Sequence, residues 1–126
     1  MSTPPQNTSR RVVVTGVGVV SPVGIGRDEF TQAVLDGTSG VGRLELMDYS
    51  GLPGHVGAEV PGFTDATARK VYLHSQRKSV KVMCREIQFG VASAMLALED
   101  SALDTEAIDH SRLGVDFGAN QMFSHP

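Results

Sequence analysis

The chain has 126 residues, of which 40% are hydrophobic and 20% charged, a composition typical of globular domains and unlike that of disordered or collagen-like chains. Its formal net charge of −3 argues against nucleic-acid binding by bulk electrostatics, and its single cysteine excludes an internal disulfide and a cysteine-based zinc cluster. All apolar runs are shorter than the roughly 18–20 residues of a membrane helix, so we expect a cytoplasmic protein without membrane contact.

The first strand is predicted near the start of the chain. Residues 1–9 lack the apolar segment of a signal peptide and are expected to form a flexible tail. Residues 10–24, RRVVVTGVGVVSPVG, predict a strand buried on both faces, because turn signals bound a β-branched run. Gly16 and Gly18 would allow tight turning or a close approach of the backbone. The expected fold class is therefore α/β.

A short helix is predicted next. Asp28 is expected to cap it, since a carboxylate can accept hydrogen bonds from the free amides of a first turn. Phe30 and Val34 would lie on one face, and Asp36–Gly37 would end the helix.

The middle of the chain gives weaker signals. Residues 37–54 are rich in glycine, serine and proline and predict an extended surface segment. Residues 55–60 (HVGAEV) predict a short strand, which the following proline and glycine stop. Residues 63–73 predict a loop with a helical turn.

The strongest periodic signal predicts one long helix from about residue 76 to residue 100. Its apolar residues follow the i, i+3, i+4, i+7 spacing over most of this length: Val80, Met83, Cys84, Ile87, Val91, Met95 and Leu98. Residues 87–98 carry no charge, which predicts burial of this half between two layers. Residues 112–117 (RLGVDF) predict a further strand. Because nothing follows to pack on it, residues 10–126 are expected to be an incomplete domain.

A dinucleotide site is one interpretation of the opening glycines. Gly16, Gly18 and Ser21 fit the GxGxxG pattern except at the third glycine. A proline and a glycine then interrupt the helix that should hold the pyrophosphate. Asp36 and Glu45 are the candidates for the acidic residue expected about 20 positions later, and neither closes a second strand. Such a glycine pair indicates backbone geometry more often than a phosphate site.

Neither the cysteine nor the histidines indicate a catalytic or metal site. Cys84 lies on the apolar stripe of the long helix, where a free cysteine is usually a small core residue, and no histidine lies near it in sequence to act as a base. The histidines form no HxxxH or HxH pair, so we expect structural or solvated roles for His55, His74, His110 and His125.

Basic residues are concentrated ahead of the charge-free half of the long helix. Six of the eleven lie within 17 positions: Arg69, Lys70, Arg77, Lys78, Lys81 and Arg85. Arg77, Lys81 and Arg85 would share one face of the predicted helix, near the end where the helix dipole disfavours cations. The cluster is either a binding surface for an acidic partner or, alternatively, a solvated face or a set of internal ion pairs.

Taken together, these segments resemble the N-terminal part of a type II β-ketoacyl-acyl-carrier-protein synthase. RRVVVTGVGVVSPVG is similar to the family's first strand and turn, and DEFTQAVLDGTSGV to its first helix. HVGAEVPGF resembles its short second strand, and RKSVKVMCREIQFGVASAMLALEDSAL its long central helix. The resemblance covers residues 10–118, and its specificity lies in the order and spacing of the four motifs.

The resemblance implies a thiolase-like layered fold (α-β-α-β-α), of which only part of the N-terminal half is present. It also implies a homodimer, an acyl carrier protein as partner and no cofactor. In the implied reaction a cysteine thiolate takes an acyl group from the carrier. Malonyl-carrier then loses carbon dioxide, and the resulting carbanion attacks the acyl thioester with help from two histidines. The family's cysteine and histidines lie beyond Pro126, so this chain alone is expected to be inactive.

The resemblance assigns two surfaces to this chain. Arg77, Lys78 and Lys81 stand where relatives dock the acidic carrier protein. The family's glycine-rich turn bordering the acyl pocket is replaced here after Gly118, so Gln121, Met122 and Phe123 are expected to border that pocket and to alter the chain-length preference.

Two further departures concern the long helix. Cys84 stands where the family commonly has aspartate, and Ala102 replaces the glycine of an ALEDAGL-like run, which puts the usual left-handed helix cap in doubt.

The sequence leaves two alternatives to a condensing enzyme. One is a ketosynthase-like partner subunit without condensing activity, of the chain-length factor type, which would share this region. The other is the dinucleotide-binding domain. Neither the acyl length nor the pathway, fatty acid or polyketide, follows from these residues.

Overall fold

A computed structural model describes residues 11–46, 48, 50–51 and 53–118. Its strands are β1 (Val20–Ser21), β2 (Gly24–Ile25), β3 (Gly42–Arg43) and β4 (Val56–Gly57), and its α-helices are α1 (Arg27–Leu35), α2 (Asp65–Thr67) and α3 (Arg85–Ser101). A π-helical turn, Ala68–Tyr72, continues α2, and 3₁₀ turns lie at His74–Gln76, Ser79–Val82 and His110–Arg112. No helix in these described ranges is long and apolar enough to cross a membrane.

The opening segment differs from the predicted buried strand. Val12, Val13 and Val14 are 93%, 66% and 84% exposed. Only β1 is paired, in an antiparallel ladder with β2 across a tight turn. No described segment forms a ladder with residues 12–15, and a β-branched run is buried on both faces only where neighbouring strands and layers cover it. The prediction for this stretch is therefore wrong for the described chain.

The predicted strand at 112–117 is also absent from the described chain. The 3₁₀ turn ends at Arg112, and residues 113–118 are exposed without a ladder partner. The side chain of Phe117 lies over Gly90 of α3, so this stretch touches the helix without joining a sheet.

Helix α1 lies where the sequence predicts a short helix, but its N-cap residue and its buried face differ from the prediction. Gly26, with φ of 94°, precedes the helix, and Asp28 lies inside the first turn. Gly37, with φ of 65°, follows the end, as a glycine there can without strain. Ala33 is buried and Val34 is 58% exposed, so the predicted apolar face is rotated.

The middle of the chain forms a second small sheet. β3 and β4 pair antiparallel, with Gly42 opposite Gly57 and Arg43 opposite Val56. The predicted strand at 55–60 is confirmed but shorter. Beyond the ladder, the Glu59 carboxylate accepts hydrogen bonds from the backbone amides of residues 45 and 46, at 2.9 and 3.0 Å, and this extends the pairing.

Residues 63–73 contribute more structure than the sequence signal indicates. A reciprocal capping box between Thr64 and Thr67 starts α2. The buried core is built around this region and consists of Phe63, Ala68, Leu73, Val80 and Ala92.

The predicted long helix is interrupted: 3₁₀ turns form its first part, and the α-helix α3 forms its second part. Met83 and Cys84 have extended backbone, with ψ of 125° and 167°, so α3 begins only at Arg85. The residues before them form the two 3₁₀ turns. The apolar spacing runs through the break because Val80 is buried in the same core as the helix.

The charge-free half of α3 is less enclosed than predicted. Within α3 only Gln88 and Ala92 are buried, and Ala94 is exposed. The described neighbours of α3, among them β1, the π turn and residues 16–18, cover only part of its circumference, so the predicted burial between two layers is not seen. At its end Ala102 adopts the left-handed conformation, with φ of 52° and ψ of 26°. The left-handed cap therefore persists without glycine.

Candidate functional site

The main charged feature is a surface that we call the basic segment, residues 69–81. It contains Arg69, Lys70, Arg77, Lys78 and Lys81, and no acidic residue occurs between positions 66 and 85. Every one of these side chains is exposed except that of Arg69, which is partly buried. Leu73 and Val80, 0% and 2% exposed, anchor the segment to the core. The chain thus holds a cationic surface on an apolar base.

Arg85, which the sequence groups with these cations, does not lie on this surface. Arg85 is the first residue of α3, whereas Arg77 and Lys81 lie in or beside the 3₁₀ turns before it. The three therefore do not share a helical face, and that prediction is wrong. The guanidinium of Arg85 faces the aromatic core, 4.9 Å from the ring centroid of Phe63 and 4.7 Å from that of Phe89. It also donates a hydrogen bond to the carbonyl of Phe63.

Ion pairing does not neutralise the basic segment within the described residues. Both ion pairs found there involve Arg27, which contacts Asp28 at 3.0 Å and Asp100 at 2.5 Å. Of the sequence interpretations of the cluster, internal ion pairing is therefore the least consistent with the structure. A solvated face and a partner-binding surface remain.

The opening glycines serve helix packing. A Cβ on Gly16 would lie 2.7 Å from the backbone nitrogen of Ser101, and one on Gly18 would lie 2.5 Å from that of Ala97. The backbone of residues 16–18 therefore lies directly against α3, where no side chain fits.

A phosphate site would instead need these glycines to open a helix N-terminus. α1 starts later, at Arg27, and its first turn carries Asp28 and Glu29. The Glu29 carboxylate accepts a hydrogen bond from the backbone amide of Ile25 at 3.0 Å. The acidic first turn of α1 disfavours a bound pyrophosphate and the glycines pack on α3, so the structure does not support the dinucleotide interpretation.

A carboxylate clamp, which the sequence did not predict, fixes this packing. Asp100, near the end of α3, accepts a hydrogen bond from the backbone amide of Val17 at 2.9 Å and pairs with Arg27 of α1. Its side chain is only 17% exposed. The Asp28 and Asp100 carboxylates raise the pKa of Arg27, and the hydrogen bond that Arg27 donates to Asp28 is the first cause. The only sequence signal for the clamp was the acidic pair that ends the central-helix motif.

The remaining candidates are dispersed. Cys84 is a free, half-buried thiol at the N-cap of α3, and its side chain makes no capping hydrogen bond. His74 and His110 are exposed, and their ring nitrogens lie 3.3 and 3.0 Å from backbone carbonyls of nearby residues. In the part of the chain that the structure describes, no group of three His, Cys, Asp or Glu could hold a metal ion.

Two predictions fall outside the described residues. The proposed acyl-pocket border, Gln121, Met122 and Phe123, lies there, as does His125. The roles of these residues therefore stay predictions from the sequence.

Comparison with known proteins identifies the family. Residues 9–124 match the family described as Beta-ketoacyl synthase, N-terminal domain. Over 110 residues, 87% of its length, the chain is 38% identical to the 3-oxoacyl-[acyl-carrier-protein] synthase 2 of Coxiella burnetii and covers 25% of that protein.

Polyketide proteins match equally well. The chain is 38% identical over 111 residues, 88% of its length, to the granaticin polyketide putative beta-ketoacyl synthase 1 of Streptomyces violaceoruber and covers 25% of it. It is also 38% identical over 104 residues, 82% of its length, to the tetracenomycin polyketide synthase ketoacyl synthase beta subunit of Streptomyces glaucescens and covers 24% of it. The chain thus spans about a quarter of the length of these curated relatives. Since the match to this family's N-terminal domain takes in nearly all of its residues, the chain belongs to the β-ketoacyl synthase family.

Proposed function

We propose that residues 10–126 form part of the N-terminal domain of a 3-oxoacyl-[acyl-carrier-protein] synthase. The complete enzyme would condense an acyl thioester with malonyl-carrier protein, with loss of carbon dioxide, in fatty-acid or polyketide synthesis. The names of the relatives in both pathways support this reaction class. The nucleophilic cysteine and its histidines would come from other parts of the protein, and the enzyme would act as a cytoplasmic homodimer with a thiolase-like layered core.

Within that enzyme, the basic segment would bind the acidic carrier protein through Arg77, Lys78 and Lys81. The observation that carries this proposal is the group of exposed cations in a stretch without any carboxylate, on a chain whose net charge is −3. Partner binding gives a reason for such local charge, because opposite surface potentials steer encounter and fix register. Long-range attraction of this kind weakens when salt shortens the Debye length to about 8 Å.

Charge reversal tests the docking proposal. Lys78→Glu combined with Lys81→Glu in the protein that carries this chain should weaken binding of acyl carrier protein by about tenfold or more at low salt. The difference from the unmodified protein should shrink at high salt. Fluorescence anisotropy with a labelled carrier measures both affinities.

A matched control uses the same charge change elsewhere. Arg43 and Arg112 are exposed and lie outside the basic segment. Arg43→Glu combined with Arg112→Glu should leave carrier affinity within about twofold, because screening isolates distant surface charges. Equal losses in the two double variants would show that only net charge matters, and an unchanged affinity after reversal at 78 and 81 would refute docking at this segment.

A non-condensing partner subunit is the second candidate. The match to the tetracenomycin ketoacyl synthase beta subunit is as strong in identity as those to the two synthases, so this region does not separate the two roles. The complete protein, supplied with acyl-carrier and malonyl-carrier substrates, should release carbon dioxide and form a new carbon–carbon bond if it is a synthase. Carrier binding without condensation would favour the partner subunit.

Gln121, Met122 and Phe123 are proposed to border the acyl pocket and to shift its chain-length preference. Replacing Gln121 and Met122 by glycine would restore the family's small residues at this turn. Product analysis of the complete enzyme should then show a change in acyl length. An unchanged product distribution would contradict the proposal.

A further inference from the structure

The basic segment belongs to a loop that is closed at its base. Phe63 lies just before α2 and Arg85 opens α3, and the hydrogen bond from the Arg85 guanidinium to the Phe63 carbonyl joins two residues 22 positions apart. All five cations of the basic segment lie between these two residues. The loop therefore begins and ends at one contact.

The chemistry of this contact suits arginine in particular. The guanidinium lies 4.9 and 4.7 Å from the ring centroids of Phe63 and Phe89, so it binds two aromatic faces and one carbonyl at once. The two rings are themselves in contact, with centroids 4.9 Å apart. A lysine ammonium is a compact point charge and cannot reproduce this planar packing.

Stacked aromatic rings in the core connect the Arg85 contact to the basic segment. Phe63 is 1% exposed and stacks on Tyr72, with centroids 5.5 Å apart and the rings 13° from parallel. Tyr72 ends the π turn that carries Arg69 and Lys70. Arg85 is thus tied through two aromatic rings to the backbone that presents the cations.

We propose that Arg85 is a positioning residue for carrier docking: it closes the loop that carries the basic segment and holds the cations of that segment in a binding arrangement, while its own guanidinium faces the rings of Phe63 and Phe89. The proposal rests on the docking function proposed above. It departs from the sequence interpretation, in which Arg85 was a member of the basic cluster and shared a helical face with Arg77 and Lys81.

Two substitutions that each remove one positive charge separate these roles. Lys81→Met removes an exposed charge, so carrier affinity should fall and its salt dependence should become shallower. Arg85→Met removes an inward-facing charge, so affinity should fall by about fivefold, as loss of a partly desolvated cation–π contact allows, with the salt dependence unchanged. A shallower salt dependence for Arg85→Met would overturn the proposal.

Limited trypsin digestion reports the loop directly, since its cleavage sites include Lys70, Arg77, Lys78 and Lys81. Arg85→Met should accelerate cleavage at these sites by about tenfold relative to cleavage after Arg43, because local opening governs proteolysis of folded proteins. If Arg85 had only a structural role, Arg85→Met would lower the melting temperature and raise cleavage at all sites alike. Alternatively, the folded Arg85→Met protein would bind the carrier with unchanged affinity. Either result would overturn the proposal.

Arg85→Lys keeps the charge and serves as the second variant if Arg85→Met fails to fold. It should restore neither the slow loop cleavage nor the full affinity, and complete rescue by lysine would refute the packing argument. The two proposals fail separately. If reversal at Lys78 and Lys81 leaves affinity unchanged, docking fails, whereas normal loop cleavage in both Arg85 variants refutes the loop closure alone.

Discussion

Adding a single methyl group at Gly18 should destabilise the chain strongly. The Cβ of Gly18→Ala would meet the carbonyl oxygen of Ser93 and the backbone nitrogen of Ala97, the latter at 2.5 Å. Ordinary van der Waals contact for a Cβ begins at 3.4 Å, and the carbonyl oxygen of Ser93 lies closer still than the nitrogen of Ala97, so residues 16–18 and α3 would have to separate by more than about 0.9 Å.

The obstructing atoms decide the magnitude of this effect. Both belong to the backbone of α3, so no flexible side chain can rotate away. Overpacking of a rigid site costs about 1–3 kcal/mol, and we expect the upper end, about 3 kcal/mol, for Gly18→Ala. This is a large part of the roughly 5–15 kcal/mol that stabilises a typical domain.

Urea denaturation of the 126-residue chain, followed by far-ultraviolet circular dichroism, measures the change in unfolding free energy. Gly114→Ala is the matched control, because nothing lies within 4 Å of the Cβ that it adds. It should change stability by less than about 0.5 kcal/mol. If Gly18→Ala were as stable as Gly114→Ala, the close packing of residues 16–18 on α3 would be wrong.

Three further predictions concern α3 and the turn that follows it. Ala102→Gly should stabilise the chain by about 1 kcal/mol in the same denaturation assay, because the left-handed backbone strains alanine and not glycine; a loss of stability would contradict this. Asp100→Ala should destabilise the chain by about 1–2 kcal/mol, because the backbone amide of Val17 and the guanidinium of Arg27 lose their acceptor. Asp28→Ala, at an 87% exposed site, is the control and should have little effect on stability. Equal losses of stability in the two variants would refute the clamp. Hydrogen bonds from the hydroxyl and the backbone amide of Ser111 hold the pKa of Asp109 below its ordinary value. The stability that Asp109 contributes is therefore present above the ordinary carboxyl pKa and is lost as the pH falls through the lowered value. Titration by nuclear magnetic resonance should show that Ser111→Ala raises this pKa, and no change would contradict the assignment.

The sequence predicted the family and the order of elements better than their packing. Two outcomes show why. The helix break at Met83–Cys84 has no proline or glycine to mark it, and the apolar spacing continues through it because Val80 belongs to the same core. The run at residues 12–15 has the composition of a buried strand, yet burial depends on neighbouring strands that a local pattern does not contain.

The candidate site was predicted to a similar extent. The density of basic residues was visible in the sequence, and Lys78 and Lys81 are exposed as a docking surface requires. The inward position of Arg85 was not predictable, because it depends on Phe63, 22 positions earlier in the chain. The clamp made by Asp100 likewise joins residues 83 positions apart, which no local spacing reveals.

The most direct test of the docking proposal is a titration of the isotopically labelled protein with acyl carrier protein, followed through its backbone amide signals. We predict that the largest shifts at low salt fall within residues 69–81 and diminish as salt is added, while the signals of Arg43 and Arg112 stay in place. Shifts centred elsewhere, or none within the basic segment, would contradict the assignment of this surface to the carrier.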